Sequence, residues 1–335
     1  MRIGFPRALF YFLYYPFWHV FFTELGCEVV LSLPTTKYSL DLGVEEAVND
    51  ACLPIKLYHG HVAELKDQVD VLFLPRMVKI RKMGAEVFCP KFLGLPDLIR
   101  GAIADLPEII DVKVDLSKGL WPKWQLSRQV AQLLDKKGAI VWQAYRRAGQ
   151  AQTKFKEYLL KGIDAETAIE AIVQGKEITE PPVFSGDLNL AILGYPYLIY
   201  DSFVNVGLWQ KLFSLGVRPW TVEMVPPKYL ESKTKHLPKN LFWYFSNRTI
   251  QATFYYLYEK KLDGLIHVTA FGCGPDAMVD KLMELEAKKC GPTPFLTLSL
   301  DEQTGEAGVA TRLEAFVDML RLRRSKDENI FSCNG

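Results

Sequence analysis

The sequence predicts an α/β protein of two parallel-sheet domains with a helical segment inserted between them. Three observations carry this: a segment that recurs 190 residues later, Val-rich runs where the strands of a βαβ unit belong, and a Lys-, Arg-, Gln- and Ala-rich middle with helical periodicity. The chain has 335 residues and 49% hydrophobic content. That is enough core-forming material for two domains of roughly 100 to 200 residues each.

The recurring segment is "IGFPRALFYFLYYPFWHVFFTELG" (3–26), which aligns without a gap on "LGYPYLIYDSFVNVGLWQKLFSLG" (193–216). Only Gly4/Gly194, Pro6/Pro196, Leu25/Leu215 and Gly26/Gly216 are identical, but these are punctuation residues: a glycine and a proline where a strand ends, then a glycine closing a helix. "CEVVLS" and "VRPWTVEMV" follow as second strands, and "DVLFLP" (70–75) and "DGLIHV" (263–268) as third strands. The economical reading is two βαβαβ units.

The first copy has sixteen residues without formal charge between Arg7 and Glu24, nine of them aromatic. That run is shorter than the roughly 18 to 20 residues of a membrane span, contains Pro16, and lacks the cleavage site of a signal peptide. The expectation is a cytoplasmic protein whose first helix is buried against a parallel sheet. In the alternative, Tyr14, Tyr15 and Trp18 line a ligand pocket or dimer contact.

The middle, "WPKWQLSRQVAQLLDKKGAIVWQAYRRAGQAQTKFKEYLLKG", reads as two or three amphipathic helices, and "EITEPPVFSGD" as the linker that follows. The predicted organisation is a first α/β domain over 1–117, a helical segment and linker over 118–185, and a second α/β domain with a C-terminal helix over 186–335. After the strand "PFLTLSLDE", Thr311 and Glu314 in "TRLEAFVDMLRLRR" suit a capping box opening the last helix. Forty Lys and Arg balance 39 Asp and Glu without a basic block, so nothing favours nucleic acid or an anionic membrane surface as a partner.

In open α/β sheets, ligands sit beyond the carboxyl ends of the strands, and this rule sorts the six cysteines. Cys52 in "ACLPIKLYHGH", Cys89 in "VFCPKF" and Cys273 in "HVTAFGCGPDA" fall at that edge and can face one cleft between the domains. Cys27, Cys290 and Cys333 fall at the opposite edge or in the tail. No Cys-x-x-Cys occurs, which leaves a zinc ribbon or ferredoxin-type loop unsupported. Adjacent prolines and glycines fix the backbone and let main-chain N–H groups approach a sulfur-rich anion. Buried reduced cysteines are the alternative on spacing alone.

Together, "IGFPRAL", "YYPFWHVFFTELGCEVVLS", "ACLPIKLYHGHV", "LFLPR", "FGCGPDA" and "LSLDEQTGEAGVATRLEAFVDML" resemble the 2-hydroxyacyl-CoA dehydratase and benzoyl-CoA reductase superfamily. Within it the chain is most similar to the acyl-CoA dehydratase activase-related proteins, relatives of the double-cubane cluster reductases. The resemblance runs from the first strand to about residue 322. It implies two flavodoxin- or Rossmann-like domains and a [4Fe–4S] cluster, or a sulfide-bridged double-cubane [8Fe–9S] cluster, in the cleft between them. It also implies electron delivery by a separate ATP-hydrolysing iron–sulfur activase, and pairing into a homodimer. Cysteine ligands carry over onto Cys52, Cys89 and Cys273, leaving one iron of a cubane without a protein thiolate. The double-cubane type needs about six sulfur ligands, and three of the six cysteines here are badly placed, so the single cubane is preferred. The chain has no GxxxxGK[ST] motif, which puts ATP use on the partner.

Lys56, His59 and His61 lie four, seven and nine residues beyond Cys52. Lys56 and His59 share a helical face and are the candidate proton or hydrogen-bond donors, against the alternative of a partly exposed helix surface. Asp276 reads as a helix N-cap, and Asp301 and Glu302 as capping or salt-bridge residues. Two functions follow as expectations. One is an enzyme subunit that reduces or dehydrates a small substrate, such as an acyl-CoA, at the open iron; the other is an electron-transfer or cluster-carrying module with no substrate of its own. A metal-free α/β binding protein is the third.

Overall fold

The computed structural model describes residues 1–81, 86–117, 120–180, 183–184, 186–231, 236–291 and 293–332, and of residues 120–121 and 326–332 the backbone only. Cys333, the prolines Pro181 and Pro182, and the predicted boundaries at Lys118 and Ser185 lie outside the described residues.

Among the described residues ten strands form: β1 (Arg2–Phe5), β2 (Glu28–Leu31), β3 (Val71–Phe73), β4 (Arg76–Lys79), β5 (Glu108–Ile110), β6 (Lys113–Asp115), β7 (Leu188–Gly194), β8 (Val217–Thr221), β9 (Gly264–Ala270) and β10 (Phe295–Leu300). They make two four-stranded parallel sheets, β2-β1-β3-β5 and β8-β7-β9-β10, so each unit runs second, first, third, fourth strand across its sheet. The same order in both sheets is the topological counterpart of the sequence repeat. Gly26 and Gly216, the repeat's closing glycines, sit at φ +76° and +67°, the left-handed backbone in which a helix ends before a second strand. A parallel pair β4-β6, absent from the sequence reading, extends the carboxyl edge of the first unit.

The aromatic stretch folds as the helix Tyr11–Glu24, and it is buried on two sides. Towards the sheet, Trp18 meets Phe73 of β3 at a tilt and Phe22 meets it edge-on, at ring separations of 4.5 and 5.1 Å. On the other side it meets the helix Ala139–Leu160: Phe17 packs on Tyr145, Gln152 donates to the Leu13 carbonyl at 2.8 Å, and Arg147 pairs with Glu24 at 2.6 Å. Coverage from both faces explains the lack of a polar stripe. Among the described residues, no helix is long and apolar enough to cross a membrane.

The middle of the chain supplies the helices Leu120–Leu133, Ala139–Leu160 and Ala165–Val173. Their apolar residues join the same core cluster that takes in both sheets, while a second cluster lies on the opposite face of the β7–β10 sheet.

The predicted capping box at Thr311 does not form, because the last helix starts earlier, at Glu306. Thr311 is therefore interior and its hydroxyl donates back to the Ala307 carbonyl at 2.9 Å, while Glu314 pairs with Lys211. A capping box forms instead at Thr36, whose hydroxyl accepts from the Ser39 N–H and opens the helix Lys37–Glu46.

Candidate functional site

Three helices begin at the carboxyl edges of the sheets, and each has a cysteine at its N-cap and a proline in its first turn. Cys52 opens Leu53–Leu65, Cys89 opens the short Pro90–Leu93, and Cys273 opens Gly274–Lys289. Proline is tolerated there because the first-turn N–H groups have no partner inside the helix. The remaining N–H groups and the positive ends of the helices favour a thiolate or a thiolate-bound anion.

All three cysteines line one small cavity, together with Leu9, Phe88, Phe92, Tyr195, Tyr197, Trp243, Tyr244 and Phe245. Its volume is about 30 Å³, room for about one or two waters, so uptake of a larger group requires these walls to move apart. The rings form a continuous aromatic wall, with Phe88–Tyr244 at 5.0 Å and Tyr195–Phe245 at 5.2 Å. The Cys89 loop is fastened to the second unit by Val87 N–H to Phe242 O at 3.0 Å and Tyr244 N–H to Val87 O at 2.9 Å. Asn247 Nδ2 also donates to Glu86 Oε1 at 2.8 Å, and Arg81 clamps the same carboxylate with contacts of 2.7 and 2.9 Å.

The electrostatics of the cysteines reflect this enclosure. Burial pushes the Cys52 thiol up in pKa, Lys91 and the Ile55 N–H pull it back, and Cys89 as a neighbouring anion pushes it up again. Burial also pushes up Cys273, followed by Asp276, and Cys52 and Cys89 add to the rise while the Asp276 N–H opposes it. The sulfurs are thus close enough to oppose one another's ionisation. Bare thiolates at Cys52 and Cys273 are disfavoured here, and a cationic iron core beside them would offset the cost. Among the described residues, no three His, Cys, Asp or Glu side chains gather around a point suited to one metal ion. Cysteine sulfur is the donor type that iron–sulfur clusters use, and these three cysteines are the residues that could hold one.

Lys56 and His59 do not line this cavity. They are buried at 9% and 3% exposure, which overturns the alternative of a partly exposed helix surface. Lys56 Nζ meets Glu302 Oε1 at 2.5 Å, tying the Cys52 helix to the end of β10. His59 Nδ1 donates to the Ile55 carbonyl at 2.8 Å, and burial lowers the imidazole pKa, keeping the ring neutral. His61 contacts Thr35 Oγ1 through Nε2 at 3.0 Å, and Thr35 donates to Asp201 Oδ2 at 2.5 Å, a second link between the units. Cys27 and Cys290 also lie off the cavity, Cys290 donating from Sγ to the Leu257 carbonyl.

Asp276 is not an N-cap, because Cys273 takes that position. Its buried carboxylate faces His267 Nε2 at 3.3 Å, while His267 Nδ1 meets Asp280 at 2.7 Å. Burial alone would lower the His267 pKa, but the two carboxylates outweigh it and raise it to about 9 from 6.5. A raised histidine contributes stability that is full below pH 6.5 and is lost as pH rises through about 9. Urea unfolding of the wild type should therefore weaken across that window, and His267→Gln should flatten the dependence. Equal slopes in both proteins would contradict the ion-pair assignment. Asp301 and Glu302 behave as read from the sequence, Asp301 Oδ1 accepting from Gln303 N–H at 3.0 Å and Glu302 forming the ion pair.

The sequence reading missed Tyr244 and Phe245, which start the helix Tyr244–Phe254 and supply part of the cavity wall. Tyr195 and Tyr197 carried a signal, since they flank Pro196, which the two copies of the repeat share, at a strand end. A second, far larger cavity of about 1410 Å³ lies between the Tyr11–Glu24 and Ala139–Leu160 helices and the second unit, and Tyr244 stands in the walls of both. Tyr14 and Trp18 line it, as in the pocket alternative, and Tyr15 does not.

Fold and site together define a two-unit parallel α/β protein with a cysteine-lined cavity where helices from both units begin. Residues 2–225 match the family model described as the CoA enzyme activase uncharacterised domain. That is more than half of the chain, and the protein belongs to this family. No curated protein gives a significant match.

Proposed function

We propose that Cys52, Cys89 and Cys273 hold a [4Fe–4S] cluster, and that the protein takes a low-potential electron from a separate ATP-hydrolysing activase to reduce or dehydrate a small substrate, an acyl-CoA being the candidate. The observation that carries this reading is the meeting of three N-cap cysteines, from helices of both units, at one cavity. Membership of a CoA enzyme activase family supports the electron-transfer context. Bound there, such a cluster supplies one low-potential electron and, at the iron without a protein thiolate, a Lewis-acidic coordination position.

The chain's own residues have defined parts in this reading. The Ile55 and Asp276 N–H groups lower the cost of ionising Cys52 and Cys273. The aromatic wall restricts water at the site, and Lys91 adds a cation at the rim, its Nζ donating to the Asp50 carbonyl at 3.1 Å. Cys27 and Cys290, away from the cavity, support one cubane over the double-cubane arrangement. Proton donation by Lys56 and His59 requires release from Glu302 and the Ile55 carbonyl, so any part they take is through the position of the Cys52 helix.

The closed apolar cavity, with Lys56 and His59 outside it, favours a second reading in which the chain is an electron-transfer or cluster-carrying module. The test is anaerobic mixing of the reconstituted protein with its reduced activase, with and without ATP. The proposal predicts ATP-dependent bleaching of the protein's visible absorption; bleaching that ignores ATP contradicts it. Turnover of an added acyl-CoA after reduction separates the enzyme from the carrier.

A further inference from the structure

We propose that the 1410 Å³ cavity is a binding site for an amphiphilic anion, a molecule with an aromatic or aliphatic body and a phosphate or carboxylate head. Its volume exceeds the roughly 300 to 1,000 Å³ of ordinary small-molecule pockets, so the body it admits can be large.

The walls divide by chemistry. Phe10, Phe17, Trp18 and Tyr145 give apolar and aromatic surface, whereas Lys123, Lys156 and Arg248 bring positive charge to the same space. Of the other cations on the wall, Lys154 is committed to Glu177 at 2.9 Å and Arg81 to Glu86, while the exposed Arg146 makes no ion pair among the described residues. Among the described residues, neither Lys123 nor Lys156 makes an ion pair, and Arg248 faces Glu223, 3.6 Å away, whose other oxygen accepts from Tyr200, and the Tyr244 ring at 5.8 Å. The wall carboxylates outside any ion pair, Glu157 and Glu231, are exposed.

Holding three like charges beside one cavity is unfavourable unless something opposes them. The Lys156 ammonium, itself exposed to solvent like Glu157 and Glu231, has a lowered pKa: partial desolvation comes first, and Lys123 and Arg248 lower it further, against a smaller opposing effect of Glu231. An anionic head placed among these cations relieves the repulsion through charge-assisted hydrogen bonds, while its body covers the aromatic wall. None of the described cysteines lines this cavity, so the inference stands apart from the cluster proposal.

The test is a fluorescence titration of the full-length chain with 1-anilinonaphthalene-8-sulfonate, an aromatic anion, followed by displacement with decyl phosphate, decanoate and decanol. One saturable site is expected, displaced by decyl phosphate or decanoate but not by neutral decanol. The stronger of the two anions identifies the head group. Lys123→Gln/Lys156→Gln should weaken dye binding about ten-fold or more, and Lys123→Arg/Lys156→Arg should restore it. Unchanged affinity in the Gln double variant, or equal displacement by decanol, would overturn the proposal.

Discussion

Replacing Gly60 by alanine is expected to destabilise the protein by about 3 kcal/mol or more, at the upper end of what overpacking costs. A Cβ at Gly60 would lie 1.9 Å from the Ser39 carbonyl oxygen, and one at Gly43 would lie 2.0 Å from the Lys56 carbonyl oxygen. The helices Lys37–Glu46 and Leu53–Leu65 therefore touch backbone to backbone, with no flexible side chain to swing aside. Any added methyl drives them apart, and the second of them carries Cys52 at its N-cap. Gly149 is the contrasting case: inside the Ala139–Leu160 helix, with nothing within 4 Å of an added Cβ, its alanine variant should gain about 0.5 to 1 kcal/mol. Urea unfolding followed by circular dichroism reads both. A Gly60→Ala protein within about 0.5 kcal/mol of wild type, the range of innocuous surface changes, would show that the helices do not meet this closely.

Alanine at Cys52, Cys89 or Cys273 should remove most of the iron from the reconstituted protein, whereas alanine at Cys27 or Cys290 should leave it. The two sets differ in position, not in residue type. The first three line one cavity at helix N-termini; Cys27 is buried between a helix and β2, and Cys290 closes the Gly274–Lys289 helix at its far end. Cys27→Ala is expected to cost stability through lost core packing without losing iron. Full iron in Cys273→Ala would sink the ligand assignment.

How far these features were legible follows from how local their causes are. The repeat at 3–26 and 193–216 gave away both first strands and their closing glycines, because a left-handed helix end selects glycine whatever packs around it. Its flanking Val-rich runs marked the strands that became β2, β8, β3 and β9. The three cysteines were separable from the rest because strand ends and helix starts are local events. Burial of Lys56 and His59 was not legible, since it depends on Glu302 lying 246 residues from Lys56 and on helices packed over this one. Tyr244 and Phe245 were missed for the same reason: long-range contacts, the Val87–Trp243 bridge and the Asn247–Glu86 hydrogen bond among them, bring their helix against the Cys89 loop. The β4-β6 pair has strands of four and three residues, too short for a period-two signal. The misplaced capping box shows the converse limit, a T-x-x-E spacing satisfied inside a helix that had already begun at Glu306.

The most direct test of the central claim is the iron and acid-labile sulfide content per chain after strictly anaerobic purification or reconstitution, paired with an EPR spectrum of the reduced protein. A cubane held by Cys52, Cys89 and Cys273 predicts about four irons and four sulfides per chain and a reduced-cluster signal. A chain that holds neither iron nor sulfide after anaerobic reconstitution contradicts it.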